Sequence, residues 1–108
     1  MSGAVTVVAL IHVKPGMVPA QLEAFREVSP LVHAEQGCEL YAAHVAEDGG
    51  TIVMVERWAS RADLEAHLAG PAIARLGELS AGLRSAPTDM YLLDPVPLGD
   101  ERKGVLPR

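Results

Sequence analysis

Thr51-Ile52-Val53-Met54-Val55-Glu56-Arg57-Trp58-Ala59-Ser60-Arg61-Ala62-Asp63-Leu64-Glu65-Ala66-His67-Leu68 begins as an apolar strand and turns abruptly into an amphipathic helix. In a strand, alternate side chains share a face, so Ile52, Met54, Glu56 and Trp58 point one way and Thr51, Val53, Val55 and Arg57 the other. Both sets are mostly apolar. Ser60 is a natural helix cap with Asp63 as its first-turn acid, and His67 comes up beside Leu64 and Leu68. Trp58 is the chain's one tryptophan. This stretch therefore brings an indole and an imidazole to one helix–sheet junction.

Towards the N-terminus, Cys38 to Val45 reads as a strand joined to this one through Glu47-Asp48-Gly49-Gly50, whose glycines permit the positive φ angles of a hairpin turn. Residues 4 to 13 are rich in Val, Ile and Ala without polar alternation until His12, the pattern of a central strand. Pro15-Gly16 ends it, and Pro19 suits a first helical turn. Leu22, Phe25, Val28 and Val32 then share one side of a helix that Pro30 is expected to bend or restart and Gly37 to terminate. Towards the C-terminus, the second helical region breaks at Gly70-Pro71, after which Ile73, Leu76, Leu79 and Leu83 continue an apolar stripe. Thr88 to Leu93 is the fourth strand. Asp94 onward is a proline-rich tail, expected to be either mobile or laid across another subunit.

The order β-α-β-β-α-β, with Leu22-Glu23-Ala24-Phe25 echoed by Leu64-Glu65-Ala66-His67, predicts an α+β, ferredoxin-like domain over residues 1–94, with 95–108 as an extended tail. It has a four-stranded antiparallel sheet whose first and third strands are central. Helices cover only one face of such a sheet, which leaves the second apolar face of the third strand bare. A homodimer formed through that face, with an interface on the order of 1,600 Å², is the expected remedy.

A length of 108 residues accommodates one domain, and 49% of its residues are hydrophobic. The longest apolar run, Ala4 to Ile11, is too short to span a bilayer and lacks the flanks of an export signal, so no membrane partner is expected. Cys38 is the single cysteine, which excludes an internal disulfide and suits a cytoplasmic location. A net charge of −5 with nine scattered basic residues gives no stripe for a phosphate backbone, and nucleic acid is disfavoured. GxGxxG, GxxxxGK, HExxH and paired-cysteine patterns are missing, so neither a nucleotide nor a metal site is expected.

The run Ile52 to Ser60, followed by Leu64-Glu65-Ala66-His67-Leu68 and preceded by Gly37-Cys38 and Lys14-Pro15-Gly16, resembles the antibiotic biosynthesis monooxygenase domain, and within it the quinol monooxygenases. The resemblance covers roughly residues 4 to 94 and implies a dimeric α+β barrel. It further implies cofactor-independent oxidation of a small aromatic substrate, a phenol, hydroquinone or anthrone, to a quinone by dioxygen without metal or flavin. By the same resemblance, Trp58 matches the pocket tryptophan of a Glu-x-Trp motif, His44 a pocket histidine of the anthrone-oxidising branch, and His67 the helix histidine of quinol-type members. Met54 stands where the anthrone branch has asparagine, Ala72 stands where quinol-type relatives often have histidine, and the chain contains no asparagine. These departures count against anthrone oxidation and against haem degradation. The same scaffold also serves isomerases and non-enzymatic proteins that bind or protect a small molecule, and both alternatives stand beside the oxygenase.

Residue by residue, His44 shares a strand face with Leu40 and Ala42 and is either a pocket base or an imidazole satisfied by a backbone carbonyl. His44 and His67 are the catalytic candidates, although the Phe25 counterpart of His67 suggests a packing position. Trp58, Met54, Leu40, Phe25 and Glu56 are the candidate substrate-binding residues. Glu56, on the face of Trp58, is either an acid or the partner of an arginine, because a buried carboxylate must be paired or protonated. Tyr41 is expected on the opposite face from His44, towards the dimer sheet.

Overall fold

The computed structural model describes residues 3–107. Its elements run β1 (Val5–His12), α1 (Val18–His33), β2 (Cys38–Val45), β3 (Thr51–Trp58), α2 (Arg61–Leu68), α3 (Pro71–Leu79) and β4 (Asp89–Leu93). The strands form one antiparallel sheet in the order β2-β3-β1-β4. The first and third strands are thus central, and the fold is the expected ferredoxin-like α+β arrangement.

Local chemistry sets the boundaries. Ser60 Oγ accepts the Asp63 backbone N–H at 3.1 Å and opens α2. Gly70 caps α3, with Pro71 in its first turn. The Asp48 carboxylate accepts the N–H groups of Gly50 and Thr51 at 2.9 and 3.1 Å and so fixes the β2–β3 turn. The expected restart at Pro30 does not occur, and α1 runs through it. Pro30 lies in the last turn of α1, so the single backbone bond it removes leaves the preceding turns intact, and the Ala34 N–H still closes on its carbonyl at 3.2 Å.

Gly37 carries the chain from α1 into β2 at a φ of +78°, and a Cβ there would collide with the Asp63 side chain. Its carbonyl accepts the Ala59 N–H at 2.8 Å. The start of β2 is therefore fastened to the end of β3, beneath the first turn of α2.

The core lies between the sheet and the helices. Val7, Ala9 and Ile11 of β1 and Ile52, Met54 and Trp58 of β3 are buried against Phe25, Val28, Val32, Leu64 and Leu76. On the other face Val8, Leu10, Val53 and Val55 are half-buried, and Tyr91 of β4 is 53% exposed. Strand β2 departs from the expected phase. Cys38 pairs with Trp58, but the next paired residue, Leu40, faces Arg57 across a β-bulge. The extra residue inverts every side chain that follows. Tyr41 consequently faces the helices and is buried, the reverse of the expectation that it points away from them, while Leu40, Ala42 and His44 lie on the open face.

The tail carries a turn of its own. The Asp100 carboxylate accepts the N–H groups of Arg102 and Lys103 at 2.8 and 3.0 Å, and its carbonyl accepts that of Gly104 at 2.9 Å. This turn brings Lys103 to Leu106 alongside Thr6 and Arg57 on the open face of the chain's own sheet. Among the described residues no helix is long and apolar enough to cross a membrane.

Candidate active site

Strand periodicity delivers Glu56 and Trp58 side by side to the helix face, where the Trp58 Nε1–H donates to Glu56 Oε1 at 3.0 Å. Helix α2 lays His67 over the indole, with ring centroids 4.3 Å apart and planes inclined by 28°. Glu35, in the turn after α1, approaches His67 from the other side, with Oε1 2.6 Å from Nδ1. Tyr41 stands edge-on to the imidazole at 5.7 Å, and its carbonyl lies 3.0 Å from His33 Nε2. The break between α2 and α3 makes room for this arrangement, because a Cβ on Gly70 would lie 3.4 Å from Glu35 Oε2 and 3.0 Å from the Ala66 carbonyl.

Trp58 and His67 are 0% and 2% exposed, while the Glu35 side chain is 21% exposed and carries the cluster to the surface. An ionised carboxylate accepts hydrogen bonds and cannot donate them, so Glu35 fixes the imidazole proton on Nδ1. That leaves Nε2 as the basic nitrogen, with no hydrogen-bond partner among the described residues. Burial pushes the Glu56 carboxyl up, against the opposing pull of the indole hydrogen bond and of His67. Burial, reinforced by Glu56 and Glu35, holds the Tyr41 hydroxyl above the ordinary phenol range, so it is neutral at physiological pH.

A second polar cluster flanks the first. The Gln21 amide, fully buried, donates to Ser80 Oγ at 2.9 Å. The Arg84 guanidinium donates to Ser80 Oγ at 3.2 Å and to Thr88 Oγ1 at 3.0 Å, and burial lowers its pKa. These contacts tie α1 to the segment between α3 and β4.

Five of the residues singled out in the sequence lie on the helix side of the sheet: His67, Trp58, Glu56, Met54 and Phe25 are all buried there. His44 and Leu40 do not join them. His44 is exposed on the open face, with Nδ1 3.3 Å from the Val53 carbonyl. The partner of Glu56 is the indole, not an arginine. Sequence reasoning missed Glu35 and Gln21. Gln21 could have been found, since it stands four residues before Phe25 and seven before Val28 on the same helical stripe; Glu35 gave no sign beyond its place just before a helix-ending glycine. Among the described residues no group of three or more His, Cys, Asp or Glu side chains could hold a metal ion.

Comparison with known proteins places the chain in a family. Residues 4–78 match the family described as antibiotic biosynthesis monooxygenase. The chain belongs to that family. It is 38% identical over 88 residues to the Escherichia coli (strain K12) protein named "Probable quinol monooxygenase YgiN", across 71% of this chain and 85% of that one. Among solved structures it resembles Rv0793 from Mycobacterium tuberculosis, with a TM-score of 0.79 and 26% identity over 90% of this chain and 99% of that one. It also resembles PA3566 from Pseudomonas aeruginosa, with a TM-score of 0.77 and 28% identity over 86% and 94% of the two chains. Fold and family therefore agree with the resemblance carried by the Glu56–Trp58 and His67 motifs.

Proposed function

We propose that this protein is a monooxygenase of the quinol type, oxidising an electron-rich phenol, hydroquinone or anthrone-like aromatic to a quinone with dioxygen and no cofactor. The observation that carries the proposal is the Glu35–His67 pair stacked on Trp58, in a chain of this family. His67 Nε2 removes the phenolic proton, and Glu35 steadies the resulting imidazolium. The substrate anion is rich enough in electrons to react with dioxygen, forming a C–O bond at a ring carbon that carries hydrogen, para to the oxygen in a phenol or anthrone and ortho to it in a hydroquinone. The imidazolium returns its proton to the peroxide, and loss of that carbon's hydrogen with hydroxide gives water and a quinone, which is a hydroxyquinone when the substrate is a hydroquinone. One atom of dioxygen enters the product, the other leaves as water, and all the electrons come from the substrate. Trp58 supplies an apolar wall that keeps the anion from water.

The half-buried Val8, Leu10, Val53 and Val55 on the open face support a homodimer, which light scattering at micromolar concentration checks. For the reaction itself, enzyme-dependent oxygen uptake over a panel of hydroquinones, anthrones and catechols is expected. His67→Ala should lower it by about a hundred- to ten-thousand-fold. Absence of uptake across the panel would remove the oxygenase reading and leave the binding or isomerase alternatives, which product analysis under nitrogen separates.

A further inference from the structure

Tyr41 is the register partner of Glu56 across β2 and β3, and both side chains lie on the helix face. The Tyr41 ring stands 5.7 Å from that of His67, while Glu56 is joined to Trp58 through the indole N–H. These side chains form one contiguous patch. Within it His67 Nε2, the second carboxyl oxygen of Glu56 and the Tyr41 hydroxyl have no hydrogen-bond partner among the described residues. No side-chain nitrogen or oxygen among those residues is both occluded and unpartnered. The small exposure that His67, Glu56 and Tyr41 retain therefore includes these atoms.

The Tyr41 hydroxyl is the unusual member. A buried tyrosine ordinarily finds a partner for its O–H, and here burial, reinforced by Glu56 and Glu35, keeps the proton on the oxygen. It is a neutral donor near the proposed base, left without an acceptor. The bulge in β2 turns Ala43 and Val45 to the same face, and both are exposed there. The helices thus leave an apolar strip of β2 bare beyond the tyrosine. This is not the face on which self-association is proposed, so a second copy docked there leaves the strip uncovered.

We propose that Tyr41 binds the second oxygen of the substrate, donating its O–H to it while the first oxygen gives its proton to His67 Nε2, with the apolar remainder of the substrate against Ala43. The inference rests on the oxygenase reading for the identity of the ligand and adds a criterion of selection to it. An aromatic with two oxygens is held at two points, and one with a single oxygen at one.

Isothermal titration of the full-length protein under nitrogen, where no oxygen is consumed, tests it with naphthohydroquinone and with α-naphthol, which lacks the second oxygen. The parent is expected to bind the hydroquinone about five- to tenfold more tightly, the difference one hydrogen bond makes. Tyr41→Phe, which removes only the hydroxyl, should weaken the hydroquinone by that factor and leave α-naphthol unchanged. Ala43→Asp, at an exposed position, should weaken both ligands. In air, Tyr41→Phe should raise KM for the hydroquinone with little change in kcat. The proposal is overturned if neither ligand binds at millimolar concentration, if the parent binds them equally, or if Tyr41→Phe weakens both equally or neither. It is also overturned if Ala43→Asp binds both as the parent does. Oxygen uptake that persists in any of these cases leaves the oxygenase reading standing without Tyr41. The expected binding pattern with no uptake by the parent instead keeps Tyr41 as a ligand-binding residue and removes the oxygenase reading.

Discussion

The two faces of the sheet handle polar groups in opposite ways. On the helix face the buried polar side chains pair with one another: His67 with Glu35, Trp58 with Glu56, Gln21 with Ser80. On the open face Arg57 is buried and unmatched among the described residues, alongside the tail. The helix face thus pairs its polar groups within the chain and leaves His67 Nε2 and the Tyr41 hydroxyl open, whereas the open face carries a charge that this chain does not pair. Matched groups in a dry core set one another's geometry and pKa.

The sharpest way to break this contrast is to hollow the helix face. Trp58→Ala removes a fully buried indole and orphans Glu56, and is expected to cost about 3 to 5 kcal/mol in chemical denaturation. The same truncation at exposed Tyr91 on the open face should cost far less. Gly37→Ala forces a side chain into a left-handed backbone and against Asp63, with an expected loss of about 1 to 3 kcal/mol by the same measurement.

A finer test concerns the raised carboxyl of Glu56. A folded-state pKa above the unfolded value means the folded protein holds the proton more tightly. The carboxyl therefore contributes no penalty below the unfolded value, and a destabilisation that grows as pH rises towards the folded value and then stays. Glu56→Gln keeps an oxygen for the indole and abolishes this term. The Tm of the variant relative to the parent should accordingly be higher at pH 7 than at pH 4. The smallest effect is expected from His44→Ala, which removes an exposed ring: denaturation midpoint and oxygen uptake should both stay within about 0.5 kcal/mol of the parent. A large loss of uptake would instead move the chemistry to the open face.

The strand order, the helix break at Gly70–Pro71 and the faces of β3 were legible because each is local: period-two alternation, a glycine–proline pair, a serine cap. The phase of β2 was not. Its two sides, Leu40 and Ala42 against Tyr41 and Ala43, are equally apolar, so hydrophobicity could not orient it, and one bulged residue reversed the assignment of His44 and Tyr41. Glu35 was hidden for a different reason. It is 32 residues from His67, and its role exists only once the turn after α1 meets the end of α2. The prolines of the tail forbid regular structure, and Asp100 gives it a turn by accepting backbone N–H groups, a device as short in sequence as the serine cap.

The stacking of His67 on Trp58 has an optical consequence. The chain has one tryptophan, so its indole emission arises wholly from a ring 4.3 Å from this imidazole. An imidazolium in face contact quenches an excited indole far better than a neutral ring does. Protonation of His67, or any lifting of α2 that parts the rings, is therefore written directly into the intrinsic fluorescence, and the protein carries its own reporter of the state of its proposed base.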